Sequence, residues 1–197
     1  PDSIAKVLKD HASPDWHWRG MHPFYERRGA DAVASAFYAP LLTSLTRLQR
    51  REDIFFAGQN STGEGVWVVS MGHLMGLHDG PWLGIRPTRK IAMLRYCEFL
   101  RVQDGKITEI AFYFDLPHLM MQAGLNPFPP QTAAQLVQPG PMTHEGLMFD
   151  AQPAEQGAQT LASINAMITD LGQWKLGLPL EEELARTWHD DMLWWGP

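Results

Sequence analysis

The sequence contains very little cysteine, and this limits the kind of protein it can be. Cys97 is the single cysteine among 197 residues, so a framework of internal disulfides is excluded. One thiol suits a reducing compartment, and we expect a cytoplasmic protein. No apolar run approaches the roughly 20 residues that cross a bilayer. The first residues also lack the positive-then-apolar pattern of a secretory signal, so we expect no association with a membrane.

Clustered basic residues are also absent. The chain holds 16 Lys and Arg against 22 Asp and Glu, a formal net charge of −6. Residues 131–197 contain two of the basic residues and nine of the acidic ones. Arg47, Arg50 and Arg51 are close in sequence, but they follow a predicted helix, where charges are typical of a solvated end. Without a basic stripe to neutralise a phosphate backbone, nucleic-acid binding is not expected.

Metal and nucleotide motifs are missing as well. His17 and His22 are five residues apart, as are His73 and His78, and on a strand this spacing puts two side chains on opposite faces. There is no Gly-x-Gly-x-x-Gly segment, no phosphate-binding loop and no nucleophile elbow. We therefore expect neither a metal site nor a cofactor.

The pattern of apolar residues predicts an α+β domain. A helix over residues 3–9 comes first, followed by a strand that contains Trp16 and Trp18. An amphipathic helix over residues 30–48 comes next, and Pro40 should kink or split it. Strands are then predicted at 53–57, 65–77, 90–102 and 106–115, separated by residues typical of turns. This order, with helices before a run of long strands, indicates a fold in which the helices pack on one face of a curved antiparallel sheet.

Asp115 ends an apolar and aromatic strand, just before a short predicted helix. A carboxylate at this place is costly to bury without a partner. Burial would favour its protonated form and so prepare it for proton exchange near neutral pH. The alternative is that Asp115 caps the following helix, a position where Asp is favoured. The two roles can coexist.

Three segments carry a resemblance to a known family. Residues 105–125 combine Gly-Lys-Ile-x-Glu, an aromatic strand, Asp and Gln-x-Gly-Leu. Residues 76–88 read Gly-Leu-His-Asp-Gly-Pro-Trp-Leu-Gly-Ile-Arg-Pro-Thr, and a looser match covers Gly-Met-His-Pro and Phe-Tyr-Ala-Pro-Leu within residues 20–41. In this order they resemble the SnoaL-like polyketide cyclase family of the nuclear transport factor 2-like superfold, over roughly residues 14–125. Leu77 and Arg89 stand where the family has Thr and Gly.

The resemblance implies a cone-shaped cavity between sheet and helices, a small apolar or polycyclic ligand, and no cofactor. It also implies that Asp115 is the catalytic acid/base and that His78 assists it. If Asp115 points into the cavity, alternation places Tyr113 on the same face and Phe112 and Phe114 on the other. Asp115 would then meet an aromatic wall, which is the environment of a carboxyl group that exchanges protons.

Each further candidate has an ordinary structural alternative. His78 is equally well explained as a strand-end histidine bonded to a backbone carbonyl. His22, before Pro23, could line the cavity mouth, although a structural role is the more common one. Arg95 lies within an apolar strand, where it could hold a substrate oxygen or pair with Asp115 or Glu98.

The chain has eight tryptophans, most of which we expect in the core or at interfaces. Trp18 and Trp82 are next to motif residues, and we place them at a ligand pocket.

Two function hypotheses follow. The first is a cofactor-free acid/base enzyme acting on a bulky apolar carbonyl compound, most like an aldol cyclase, with isomerisation, dehydration or hydrolysis as related reactions. The second is a non-catalytic binding or assembly domain of the same fold.

In the predicted strands, the side chains of both faces of the sheet are apolar. Helices can cover only one face, so we also predict a homodimer through the outer face of the sheet. We divide the chain into a main domain at 1–125, a Pro-rich arm at 126–159 that lies on another surface, and a helical extension at 160–197. Residues 8–20 align without gaps on residues 184–196. This similarity suggests the opening of a second repeat in a truncated tandem protein, and it predicts burial of Trp188, Trp194 and Trp195 in two helices and a strand. A docked C-terminal extension is the alternative.

Overall fold

The computed structural model describes residues 2–60, 63, 65–127, 140–141, 143–173 and 178–192. Its helices are α1 (Asp2–His11), α2 (Ala30–Val33), α3 (Ala39–Ser44), α4 (Leu116–Gln122), α5 (Ala154–Gly172) and α6 (Leu180–Leu184), with a π-helical turn at Ala34–Tyr38 between α2 and α3. Its strands are β1 (Ala12–Gly20), β2 (Glu26–Arg28), β3 (Leu45–Gln59), β4 (Val66–His78), β5 (Ile91–Gln103) and β6 (Lys106–Phe114).

The six strands form one sheet in the order β2-β1-β6-β5-β4-β3. The strands from β3 to β6 pair as antiparallel neighbours, and β2 is antiparallel to β1. The predicted α+β class is confirmed. One pairing differs from a purely antiparallel sheet, because β1 runs parallel to β6. A parallel pair needs a long connection, which the helices and the four intervening strands provide.

The predicted helix over 30–48 ends four residues early, at Ser44. Leu45 and Leu48 continue the helical spacing but belong to β3, where Leu45 is the register partner of His78. Strand pairing therefore overrides the helical period. Pro40 lies at the start of α3, directly after the π-helical turn. Since proline has no N–H to donate, the preceding turn widens where the regular hydrogen bond is lost.

One face of the sheet packs against the helices, and we call it the helix face. Phe37, from the π-helical turn, contacts the rings of Phe112 and Phe114 on β6. On β5, Leu94 and Tyr96 are buried in the same cluster. We call the other side of the sheet the opposite face. Arg95, Cys97 and Phe99 of β5 and Tyr113 of β6 lie there by alternation.

Part of the Pro-rich arm lies along the edge strand β3. The Phe55 N–H donates to Gly146 O at 2.7 Å, and the Met148 N–H donates to Phe55 O at 2.6 Å. The rings of Phe55 and Phe149 are 4.9 Å apart. The arm thus pairs with a sheet edge that would otherwise expose free backbone groups.

The chain forms two compact units, residues 1–149 and 150–197. In the second unit, Arg186 contacts Asp170 at 3.1 Å and Glu183 at 3.3 Å. Trp188 is half-buried and residues 188–192 form no strand, while Trp194 and Trp195 lie outside the described residues. Within the described part of the chain, no helix combines the length and apolar character that crossing a membrane would require.

Candidate functional site

Asp115 lies at the junction of β6 and α4, and it caps α4. Its Oδ1 accepts a hydrogen bond from the His118 N–H at 2.9 Å. Pro117 occupies the first turn of the helix, where its missing N–H costs nothing. The capping role predicted as the alternative for Asp115 is therefore present in the structure.

The second oxygen of Asp115 faces Arg95. Arg95 Nη1 is 3.3 Å from Asp115 Oδ2, and the two side chains are 25% and 34% exposed. The Asp115 N–H donates to Arg95 O at 3.1 Å, which aligns the two residues on neighbouring strands. Phe112 and Phe114 belong to the helix face, while Asp115 and Arg95 lie on the opposite one, as strand alternation predicted for Asp115 and the two phenylalanines.

Aromatic and polar side chains lie on the same face of the sheet as this pair. Tyr113 is exposed, and its ring lies 6.2 Å from that of Phe99. His73 is the register partner of Arg95 on β4, and its Nδ1 is 3.3 Å from Asp53 Oδ2. Burial lowers the pKa of His73, although Asp53 acts in the other direction.

The end of β5 beside the pair is held by α4. The side chain of Gln122 accepts from the Met93 N–H at 2.9 Å and donates to Met93 O at 2.8 Å. It thereby takes the place of a strand where β6 has ended. This fixes α4, and with it Asp115, against β5.

His78 lies on the helix face, away from Asp115. It is five residues beyond His73 on β4, an odd spacing that turns its side chain to the other side of the sheet. The side chain is fully buried, and neither ring nitrogen has a hydrogen-bond partner among the described residues. Burial lowers the pKa of His78. The prediction that His78 acts together with Asp115 is therefore wrong in this geometry.

The loop after His78 approaches α3 closely. A Cβ at Gly80 would lie 2.9 Å from Thr43 O, so a side chain would not fit there. Ser44 Oγ donates to Gly80 O at 2.8 Å. The glycine of the motif therefore serves packing of the loop against the helix.

Trp18 and Trp82 belong to the aromatic core of the helix face. Trp18 lies 5.0 Å from Phe37, and Trp82 stacks on Phe24 at 5.9 Å. These rings occupy the centre of the face where the cone-shaped cavity was expected. Trp82 Nε1 is buried without a hydrogen-bond partner among the described residues.

His22 has a surface role. It is exposed, and its Nδ1 is 2.7 Å from the Tyr25 hydroxyl in a turn that contains the cis His22–Pro23 peptide bond.

The predicted site residues therefore form two groups on the two faces of the sheet, and His22 belongs to neither. Asp115, Arg95 and Tyr113 share the opposite face, while His78, Trp18 and Trp82 share the helix face.

Sequence reasoning missed a polar cluster on the helix face, which we call the Arg50 cluster: Arg50, Glu52, Ser70, Tyr96 and Glu98. Arg50 Nη2 is 2.6 Å from Glu98 Oε2, and Arg50 Nε is 3.2 Å from Glu52 Oε1. Ser70 Oγ donates to Glu52 Oε1 at 2.8 Å and lies 3.0 Å from the Tyr96 hydroxyl. The guanidinium stands 4.5 Å over the Tyr96 ring.

Burial sets the protonation of this cluster. It raises the pKa of Glu98, and Arg50 opposes that shift. It also raises the pKa of the Tyr96 hydroxyl. The sequence held a signal for the cluster, since Ser70 and Glu98 are polar residues within apolar strands. However, Arg50 was interpreted as part of a solvated helix end, which is wrong. Glu98 was considered only as one of two possible partners of Arg95, and it is the other one, Asp115, that pairs with Arg95.

A cavity of about 550 Å³ lies on another part of the surface, lined by Lys9, Ala12, Ser13, Pro14, Arg28, Gly29, Ala30, Asp31 and Ala32. None of the predicted site residues lines it. In the described part of the chain, no group of three or more His, Cys, Asp or Glu side chains is arranged to hold a metal ion.

The sequence from residue 5 to residue 123 matches the family model described as SnoaL-like polyketide cyclase. The chain belongs to the SnoaL-like polyketide cyclase family. The match contains every residue of both faces discussed above. Comparison with the curated proteins found no match.

Solved structures show the same fold. A candidate SnoaL-like polyketide cyclase from Jannaschia sp. CCS1 is 23% identical, with a TM-score of 0.51 over 65% of this chain and 82% of that one. AclR, a candidate hydroxylase from Streptomyces galilaeus, is 24% identical, with a TM-score of 0.50 over 62% and 75%. IdmH, a candidate polyketide cyclase from Streptomyces antibioticus, is 16% identical, with a TM-score of 0.50 over 63% and 89%.

Proposed function

We propose that this member of the family is a cofactor-free acid/base enzyme acting on a bulky apolar carbonyl compound, most like an aldol cyclase. Family membership supports a cyclase or isomerase-type role. The finer proposal is carried by one observation. An accessible carboxylate, Asp115, lies 3.3 Å from an accessible guanidinium, Arg95, at the family's acid/base position.

The pair can supply both groups that enolisation needs. Asp115 takes the proton from the carbon next to a substrate carbonyl, and the electron pair of that C–H bond moves to the carbonyl oxygen. Arg95 turns from Asp115 to the enolate oxygen, where a cation stabilises the developing charge. The enolate carbon attacks a second carbonyl, and the resulting alkoxide takes back the proton from Asp115.

The surroundings of the pair suit an apolar substrate. Tyr113 offers an exposed aromatic ring on the same face, on which a flat ring system can stack. His78 cannot reach this place, so both proton transfers are assigned to Asp115. The same arrangement could also support isomerisation or dehydration, since each begins by removing a proton next to a carbonyl.

The test uses a naphthyl β-hydroxyketone whose retro-aldol cleavage releases a fluorescent naphthaldehyde. Asp115→Asn keeps the shape of the side chain but removes the base, so turnover should fall about 10²–10⁴-fold. Asp31→Asn is the matched control, because Asp31 also pairs with a cation, Lys9, at 2.8 Å. Equal turnover by wild type and Asp115→Asn, or none by wild type above buffer, would contradict the proposal.

A second candidate function is ligand binding without catalysis. It is favoured by the unpartnered buried nitrogens of His78 and Trp82 on the helix face, because buried polar atoms normally have a partner. A bound molecule with oxygen acceptors would satisfy them. In this case Asp115 is a cap and an ion-pair partner only, and Asp115→Asn would leave ligand affinity unchanged with no turnover to lose.

A further inference from the structure

Four polar side chains form a row across the opposite face of the sheet. They come from neighbouring strands in order: Asp53 on β3, His73 on β4, Arg95 on β5 and Asp115 at the end of β6. His73 Nδ1 is 3.3 Å from Asp53 Oδ2, just as Arg95 Nη1 is 3.3 Å from Asp115 Oδ2. His73 and Arg95 are direct register partners, and such partners have Cβ atoms about 4.5–5.5 Å apart. The Asp53–His73 pair is therefore the lateral neighbour of the proposed acid/base pair.

Asp53 reaches His73 from an irregularity in β3. In the register of β3 with β4, the residues before and after Asp53 pair with consecutive residues of β4, so Asp53 is an extra residue without a partner in the ladder. A bulge of this kind redirects a side chain and is common beside active sites. Gly72 leaves room for it, since a Cβ there would lie 3.1 Å from Asp53 N.

The Pro-rich arm closes the outer side of Asp53. A Cβ at Gly140 would lie 2.8 Å from Asp53 Oδ1, and a Cβ at Gly146 would lie 2.7 Å from Asp53 O. Glycine at these two positions lets the arm come this close. The side chain of Asp53 remains 27% exposed, whereas that of His73 is only 2% exposed. The imidazole is thus almost entirely removed from water.

The contact with Asp53 decides where the proton of His73 lies. Apart from the His73 contact, Asp53 Oδ2 is buried without a hydrogen-bond partner among the described residues. A buried carboxylate oxygen is costly without a donor, so we assign the proton of the neutral ring to Nδ1. Because Nδ1 and Nε2 point to different sides of the ring, the lone pair of Nε2 is directed away from β3, on the side of β5.

Burial keeps His73 neutral near pH 7. It lowers the pKa of His73, Arg95 and Arg51 act in the same direction, and Asp53 opposes them. These are the charged groups that β3 and β5 bring to the imidazole. A neutral imidazole can accept a hydrogen bond from a guanidinium, whereas a protonated one is a second cation that repels it. The protonation of His73 therefore changes the surroundings of Arg95.

We propose that His73, held by Asp53, is a positioning residue for Arg95. Its neutral ring supports the arginine, and Nε2 accepts from the guanidinium while that group turns from Asp115 to the substrate oxygen. This inference rests on the proposed function, in which Arg95 makes that turn. His73 is too deeply buried to touch a substrate, so it acts through Arg95 and takes no part in the proton transfers.

The first test follows Arg95 by NMR and does not depend on turnover. Rotation of a guanidinium about its Nε–Cζ bond slows when neighbouring groups hold it, and the Arg95 signal is identified by its loss in Arg95→Met. His73→Phe keeps a ring but removes the acceptor, so Arg95 should rotate about 5-fold faster, as expected for the loss of one hydrogen bond. His17→Phe is the matched control, because His17 on β1 also pairs with a carboxylate, Glu26, at 3.2 Å.

The second test uses the retro-aldol assay. His73→Phe should lower kcat about 10-fold or more, because a misplaced catalytic group reacts slowly. KM should change little, since His73 does not contact the substrate. His73→Gln should restore part of kcat, because its amide oxygen can replace the Nε2 acceptor. As the pH falls through the lowered pKa of His73, wild-type kcat should fall as well, and His73→Gln should lack this step.

The proposal is overturned if Arg95 rotates at the same rate in His73→Phe and His17→Phe. It is equally overturned if the two variants have the same kcat, or if the loss appears in KM instead. Where His73→Phe does not fold, Gly140→Ala takes its place, because the added methyl group displaces the carboxylate beside His73. Its control is Gly157→Ala, where a Cβ meets open space. Absence of turnover in wild type would defeat the proposed function, while the NMR comparison would still decide whether His73 positions Arg95.

Discussion

The two faces of the sheet each carry a carboxylate paired with an arginine, and the pairs differ in almost every physical respect. Asp115 and Arg95 are 3.3 Å apart and both accessible, and Asp115 also caps a helix. Glu98 and Arg50 are 2.6 Å apart, with Glu98 buried within a network of five side chains. The first pair is positioned to exchange with a substrate. The second is built into the interior and holds a carboxyl group away from water.

The difference shows that the family motif and the degree of burial indicate different residues as the carboxyl group that exchanges protons. The motif that identifies the family leads to Asp115, but the burial expected of a proton-exchanging carboxyl group is found at Glu98. An exposed ion pair contributes little to stability, because solvent screens it. A buried carboxylate that loses its partner is strongly destabilising.

The largest expected effect compares the two arginines. Arg50→Met leaves Glu98 buried without its cation, and we expect a loss of about 3–5 kcal/mol in the free energy of unfolding. Arg95→Met removes the partner of Asp115, whose carboxylate is 34% exposed and so remains hydrated, and it should cost less, about 1 kcal/mol. Urea denaturation of both variants at neutral pH measures the difference. Equal losses would show that the two pairs do not differ as their burial indicates.

Much of the fold could be predicted from the sequence, because alternation and turn residues agree over β4, β5 and β6. The predicted strand at 90–102 is Ile91–Gln103 in the structure, and that at 65–77 is Val66–His78. The strand predicted at 53–57 is much longer, Leu45–Gln59. Its first half contains charged residues whose burial depends on partners in other strands, which no local pattern reveals.

The site could be predicted only in part. Strand alternation placed Tyr113 on the face of Asp115, and Asp115 was one of the two partners considered for Arg95, with which it pairs at 3.3 Å. The sequence did not show which face of the sheet packs on the helices, because these strands carry apolar side chains on both faces. The pairing of Arg50 with Glu98 joins residues 48 positions apart on strands that are not neighbours, so it needs the three-dimensional structure.

A smaller effect concerns what covers the opposite face. Ile91 and Phe99 of β5 are exposed there, and we propose that a second copy of the chain packs on them as a homodimer and leaves Tyr113 open to the substrate. Phe99→Glu should then convert a dimer into a monomer in light scattering at micromolar concentration. Val7→Glu, at an exposed apolar position of α1, should leave the dimer intact. A monomeric wild type, or a dimer that tolerates Phe99→Glu, would contradict this interface.

The smallest effect separates the two roles of Asp115 itself. Both Asp115→Ser and Asp115→Ala remove the ion pair with Arg95, but serine is as good a helix cap as aspartate, so Asp115→Ala should be less stable than Asp115→Ser by about 1 kcal/mol. Neither serine nor alanine can act as the base, so both variants should lose retro-aldol turnover equally. Thermal unfolding and the fluorogenic assay, run on the same samples, measure the two effects independently. If turnover followed stability, with serine active and alanine inactive, the carboxylate would matter as a cap of α4, and the acid/base role would have to be given up.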